Sequence, residues 1–143
     1  MNAYVHYTLT RQWACEAGFG PDQAEEIARA DVNVDRVYRG RLLHNVGYHF
    51  RAFGARWHAR RWLECAVATG DLRLLGQALH CEQDALAHGY LGSLWHWPGI
   101  DLWERRSPRM RARIEHATRT MLGEYVARTT EADRMLGETD SRG

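Results

Sequence analysis

The chain has 143 residues, enough for one domain with a hydrophobic core. Its 19 basic residues are all arginine, its 18 acidic residues nearly balance them, and the formal charge is +1, which argues against a partner found mainly through charge, such as duplex DNA. Three cysteines, Cys15, Cys65 and Cys81, are an odd number without C-x-x-C spacing and read as free thiols, not a disulfide framework.

The first residues carry no basic region followed by an apolar run, and no apolar stretch approaches the length of a membrane span. A soluble, cytoplasmic protein is the expectation. Residues 3–17 place Tyr4, Val5, Leu9, Trp13 and Ala17 at helical spacing, and Gly18, Phe19 and Gly20 end that helix. Pro21 and Asp22 open a second helix, since proline suits the first turn and acids suit its positive end. Ala24, Ile27, Ala28, Val32 and Val34 or Val37 form its apolar side. Residues 40–47 read as a connection packed down by Leu42, Leu43 and Val46. A third helix is expected over residues 48–68, with Gly54 tolerated inside it. Thr69, Gly70 and Asp71 form a turn and an N-cap before a fourth helix, which Gly89 stops. Residues 89–107 are irregular and rich in Trp and Gly. Ser107 and Pro108 cap a last helix over residues 108–136. No stretch alternates as a strand does. The reading is an all-α, single-domain bundle of about five helices over residues 1–138, with residues 139–143 a frayed tail.

The fourth helix contains the pattern H-x3-D-x3-H: His80, Asp84 and His88. Residues four apart lie one turn apart on one helical face, so the three form a ladder of imidazole, carboxylate and imidazole. These are ligands for a divalent ion. Leu79 and Leu86 face the core beside them. Eight histidines is a high count for this length, and histidine is the commonest metal ligand. His6 lies in the first helix on an apolar segment. Asp31 and Asp35, one turn apart near the end of the second helix, oppose its dipole, which favours a functional or paired role; a solvated face or ion pairs with Arg36 or Arg39 is the competing reading. His49 has aromatic neighbours that can wall a dry site, and His96 sits in an aromatic loop. His44 and His58 read as surface or supporting residues, and His116 as structural or exposed.

The order His6, Asp35, His49, His80, Asp84, His88 resembles the bacterial zinc-dependent phospholipase C and single-strand nuclease superfamily, and in particular its compact branch. The resemblance runs from His6 to about Tyr125 as a pattern of ligands. It implies an all-α enzyme holding two or three zinc ions between its helices. Asp35, His49, His80 and Asp84 would bind one ion, Asp84 would bridge to a second bound by His6, and His88 would bind a further one. The family's closing H-x3-E pair is not reproduced after His88, where His96, Asp101 or Glu104 stands instead.

The implied activity is metal-dependent hydrolysis, foremost of a phosphoester or another small-molecule substrate. Asp84 is then a catalytic residue, and Asp31 or Glu82 orients the attacking water. Arg51, Arg56, Arg60 and Arg61 either bind a substrate phosphate or form a solvated face. Trp95, Trp97 and Trp103 form a lid, a stacking wall or core. Two alternatives are a non-catalytic metal-binding helical module and a di-iron redox protein; the latter lacks the Glu-x-x-His pairs of ferritin-like sites.

Overall fold

The computed structural model of the chain describes residues 2–37, 54–89 and 102–140. All of the regular structure among these residues is helical, with no strand. A π-helical segment, Tyr4–Leu9, runs straight into α1, Thr10–Glu16. Gly18 then takes a left-handed φ of 99°, which only glycine adopts without strain, and turns the chain. α2 spans Pro21–Val37, with Asp22 in its first turn. Gln23 reaches back to accept from the Gly20 N–H at 2.9 Å, half of a capping box.

α3 spans Ala55–Thr69 and α4 spans Leu72–His88. Between them Gly70, left-handed at φ 71°, ends α3, and Asp71 caps α4 by accepting from the Arg73 N–H at 2.9 Å. A 3-10 turn, Trp103–Arg105, precedes α5, Pro108–Asp140, and the Ser107 hydroxyl accepts from the Met110 N–H. Two expectations need correction. Gly54 does not lie within the third helix; it stands in front of Ala55 with φ 94°, a conformation that cannot continue a right-handed helix. The last helix does not stop at residue 136 but continues to Asp140.

α4 is the centre of the bundle. Every residue from Ala78 to His88 is buried, as expected of a helix covered on all sides. It packs most extensively on α3 and α2, and then on α5. Its own Leu75 and Leu79 and, around it, Ile27, Leu63, Ile114 and Leu122 are fully buried. Gly76 sets the approach of α2 to α4: a Cβ there would lie 2.4 Å from the Ile27 carbonyl oxygen and 2.9 Å from the Asp31 nitrogen. On the outside, α3 and α5 are joined by Arg60 with Glu124 and Arg128 with Glu64, exposed pairs that each contribute at most about 1 kcal/mol.

Cys15 is exposed, Cys65 half-buried and Cys81 buried, and all three are free thiols. No helix among the described residues is long and apolar enough to cross a membrane.

Candidate metal centre

Three elements bring ionisable side chains to one place beside α4. The π-helical segment supplies His6, α2 supplies Asp31 and Asp35, and α4 supplies His80, Asp84 and His88. Both α2 and α4 repeat these residues at intervals of four, so each presents them as a column on one face. The glycine contact at Gly76 lets the two columns face each other at short range. His6, Asp31 and His80 are 0% exposed and Asp84 is 1% exposed, while the Asp35 side chain is 37% exposed and forms the edge nearest water.

The imidazole rings of His6 and His80 stack, with centroids 4.2 Å apart and planes inclined by 26°. Their Nε2 atoms face carboxylates. His6 Nε2 lies 3.3 Å from Asp84 Oδ1, and His80 Nε2 lies 3.7 Å from both Asp84 Oδ2 and Asp35 Oδ1. His88 Nε2 approaches Asp84 Oδ2 at 3.5 Å. His6 Nε2 is buried and makes no hydrogen bond among the described residues. One donor atom each from His6, Asp35 and His80 falls within 4.8 Å of the other two.

The Nδ1 atoms point the other way, into a buried polar network. Nδ1 of His6 lies 2.8 Å from Asp31 Oδ1 and 2.8 Å from Gln83 Oε1. Nδ1 of His80 lies 3.3 Å from the same Asp31 oxygen. Thr10 donates its hydroxyl to Asp31 Oδ2 at 2.9 Å. The Gln83 amide donates to Thr10 Oγ1 at 2.9 Å and to Thr118 Oγ1 at 3.3 Å. Thr118 in turn donates to the Ile114 carbonyl at 2.9 Å.

Burial works against charge on each of these groups, and the neighbours decide which ones carry it. Desolvation lowers the His6 pKa, but the Asp31 carboxylate overrides it and, with Asp84, lifts the value to about 10. Desolvation likewise raises Asp31, yet charged His6 and the hydrogen bonds from both histidines hold it below the ordinary range. His80 is pushed down, first by burial and then by the charge on His6. Of the stacked pair, His6 is therefore the ring that favours the charged form and His80 the one that favours the neutral form. Burial, followed by the charges of Asp84 and Asp31, raises Cys81 well above its ordinary value and keeps it a thiol.

The donor set could hold a divalent cation. With zinc–ligand bonds of about 2.1 Å, neighbouring ligands of a tetrahedral ion sit about 3.4 Å apart. The distances of 3.3–3.7 Å from the three Nε2 atoms to Asp84 and Asp35 bracket that edge. An imidazole and carboxylate set of this kind suits zinc, iron or manganese.

His44, His49, His96, Arg51, Trp95, Trp97 and Asp101 lie outside the described residues. Glu104 is exposed on the 3-10 turn and His116 is exposed on α5. His58 is half-buried on α3, edge-on to Trp57. Glu82 is held by Arg56, whose guanidinium donates to both carboxylate oxygens at 2.9 and 3.3 Å. Arg61 lies over the Trp57 ring, and Trp103 packs edge-on against Trp13 with centroids 6.4 Å apart. Thr10, Gln83 and Thr118 were not anticipated as members of the site. The available signal was Thr118, an uncharged polar residue on the apolar stripe between Ile114 and Leu122. No protein-family model, no curated protein and no solved structure matches this chain.

Proposed function

We propose that this protein is a metal-dependent hydrolase of the phospholipase C and nuclease kind, acting on a phosphoester with zinc as the foremost cation. The observation that carries the reading is the convergence of one ring nitrogen each of His6 and His80 and an Asp35 carboxylate oxygen within 4.8 Å of one another, beside the buried Asp84 carboxylate. His6, Asp35 and His80 would hold one ion. Asp84 turns one oxygen toward His6 and the other toward His80 and His88, which suits it to bridge to a second ion held by His88.

A bound divalent cation supplies Lewis acidity, bringing the pKa of a coordinated water toward neutrality and offsetting charge on a phosphoryl oxygen. The chain's own residues divide the remaining work. Burial of His6, His80 and Asp84 excludes bulk water from one side of the site and strengthens its electrostatics. Asp35, the most exposed of the group, marks the side from which a substrate enters. Asp31 is engaged by His6, His80 and Thr10, so its carboxylate acts on the imidazoles and not on water. Glu82 is engaged by Arg56, which ties its carboxylate to α3.

The test is hydrolysis of a chromogenic phosphodiester by zinc-loaded protein, compared with Asp84→Asn. Activity that is present in wild type and lost in the variant supports the proposal. The near-complete burial of His6, His80 and Asp84 favours one second reading, a metal-binding helical module without catalysis. Tight zinc uptake with no turnover of phosphomonoester, phosphodiester or phosphocholine substrates would establish that reading instead. Iron and a visible absorption band in the purified protein would point to redox chemistry.

A further inference from the structure

We infer that Thr118, Gln83 and Asp31 are positioning residues for the cation, fixing both ligand imidazoles with Nε2 toward Asp84 and Asp35 without touching the ion. The inference rests on the metal-binding reading above and specifies what sets the affinity of that site.

Hydrogen-bond direction fixes the orientation of each group in the chain from α5 to His6. The Thr118 hydroxyl has one proton and donates it to the Ile114 carbonyl, so toward Gln83 it can only accept. Gln83 must therefore turn its NH2 toward Thr118. Thr10 enforces the same orientation, because its proton is engaged by Asp31 Oδ2 and the Val5 carbonyl. With the amide so placed, Gln83 Oε1 faces His6 and accepts from Nδ1–H at 2.8 Å. A neutral imidazole that donates from Nδ1 presents its lone pair at Nε2. The backbone of α5 thus dictates, through two side chains, which nitrogen of His6 is the ligand.

Asp31 does the same for two rings at once. Its Oδ1 lies within reach of Nδ1 of both His6 and His80, and the two rings stack. Carboxylates that hold the far nitrogen of a ligating histidine orient the ring and raise its basicity, and their removal typically weakens metal binding. Here one carboxylate serves two ligands, and Thr118, Gln83 and Asp31 are all 0% exposed, so water has no access to replace them.

The experiment measures the zinc Kd of the full chain by competition with a chromophoric chelator, together with the melting temperature of the metal-free protein. Thr118→Ser keeps the acceptor, and its Kd should stay within about twofold of wild type. Thr118→Val is similar in size and lacks the acceptor; its Kd should rise by roughly 3–10-fold. Gln83→Met and Asp31→Asn should raise it by roughly 10–100-fold, the range for a lost imidazole acceptor. Cobalt(II) spectra of Thr118→Val should shift while those of Thr118→Ser match wild type. If Asp31→Asn does not fold, the Thr118 pair decides alone, since valine keeps the bulk of threonine and loses the acceptor while serine keeps the acceptor and loses a methyl, so a shape effect and a hydrogen-bond effect fall on different variants. Equal Kd values for Thr118→Ser and Thr118→Val overturn the relay while leaving the metal site standing. Failure of wild type to take up zinc overturns both.

Discussion

Gly76 rests against the Ile27 carbonyl so closely that a methyl group in place of its hydrogen would sit 2.4 Å from that oxygen. The contact lies one turn from His80 on α4 and one turn from Asp31 on α2. Gly76→Ala must therefore push the two helices apart, and the obstruction is backbone, which cannot rotate away. Overpacking of this kind costs about 1–3 kcal/mol. Urea denaturation should show that loss, and zinc affinity should fall with it because Asp31 and Asp35 retreat from His80. Undiminished affinity in a destabilised Gly76→Ala protein would separate helix spacing from the site.

His80→Ala and Asp84→Asn are expected to weaken zinc binding by more than about 100-fold, beyond the range typical of a lost imidazole acceptor. His116→Ala, on the exposed face of α5, should bind as wild type does. Titration with zinc against a chelator resolves these differences. Equal affinity for His80→Ala and His116→Ala would place the cation elsewhere.

The His6–Asp31 pair gives the metal-free protein a definite pH dependence. His6 is raised from 6.5 to about 10, so the stability it contributes is complete below pH 6.5 and is lost as pH climbs through 10. Asp31 is lowered from 3.8, so its contribution is complete above that value and is lost as pH falls through the folded-state value. Melting temperatures recorded in chelator should therefore decline from about pH 6.5 to 10. Asp31→Asn should flatten that decline. Because His6 holds its proton at neutrality, loading a cation must displace it. Calorimetry at pH 7.5 in buffers of different ionisation enthalpy should show about one proton released from His6 per ion.

Glu82→Gln separates two roles for a buried carboxylate. Loss of its pairing with half-exposed Arg56 should cost about 1 kcal/mol in denaturant unfolding. The zinc Kd and any hydrolytic rate should stay within about twofold, far from the roughly 10–100-fold range of residues that act on the ligands. A tenfold loss of rate with stability intact would make Glu82 the residue that orients water.

Helical order and the edges of most elements were readable from periodicity and caps: Gly18, Pro21, Asp71, Gly89 and Pro108 each stand where a helix starts or stops. Gly54 is ambiguous in sequence because glycine inside an apolar pattern and glycine before a helix look alike in one dimension, and only φ distinguishes them. His80, Asp84 and His88 announced themselves by spacing along one helix. Asp31 was visible as an acid in an unfavourable place on the helix dipole, but nothing local could reveal that its partners are histidines 25 residues before it and 49 after it. Gln83, Thr10 and Thr118 carry no formal charge and follow no motif, so their joining depends wholly on how three elements pack.

The π-helical turn that holds His6 has a consequence for changes of length. Its hydrogen bonds close over five residues, as in Thr10 N–H to the Val5 carbonyl, and this wider coil lets both His6 and Thr10 address Asp31. The number of residues between them matters more than their identity. Exposed positions such as Tyr4 and Thr8 can change in kind. Deleting one residue would rewind the segment to an ordinary helix and swing His6 through about 100° away from α4. A single indel there would unseat the centre while the hydrophobic bundle beneath it stays assembled.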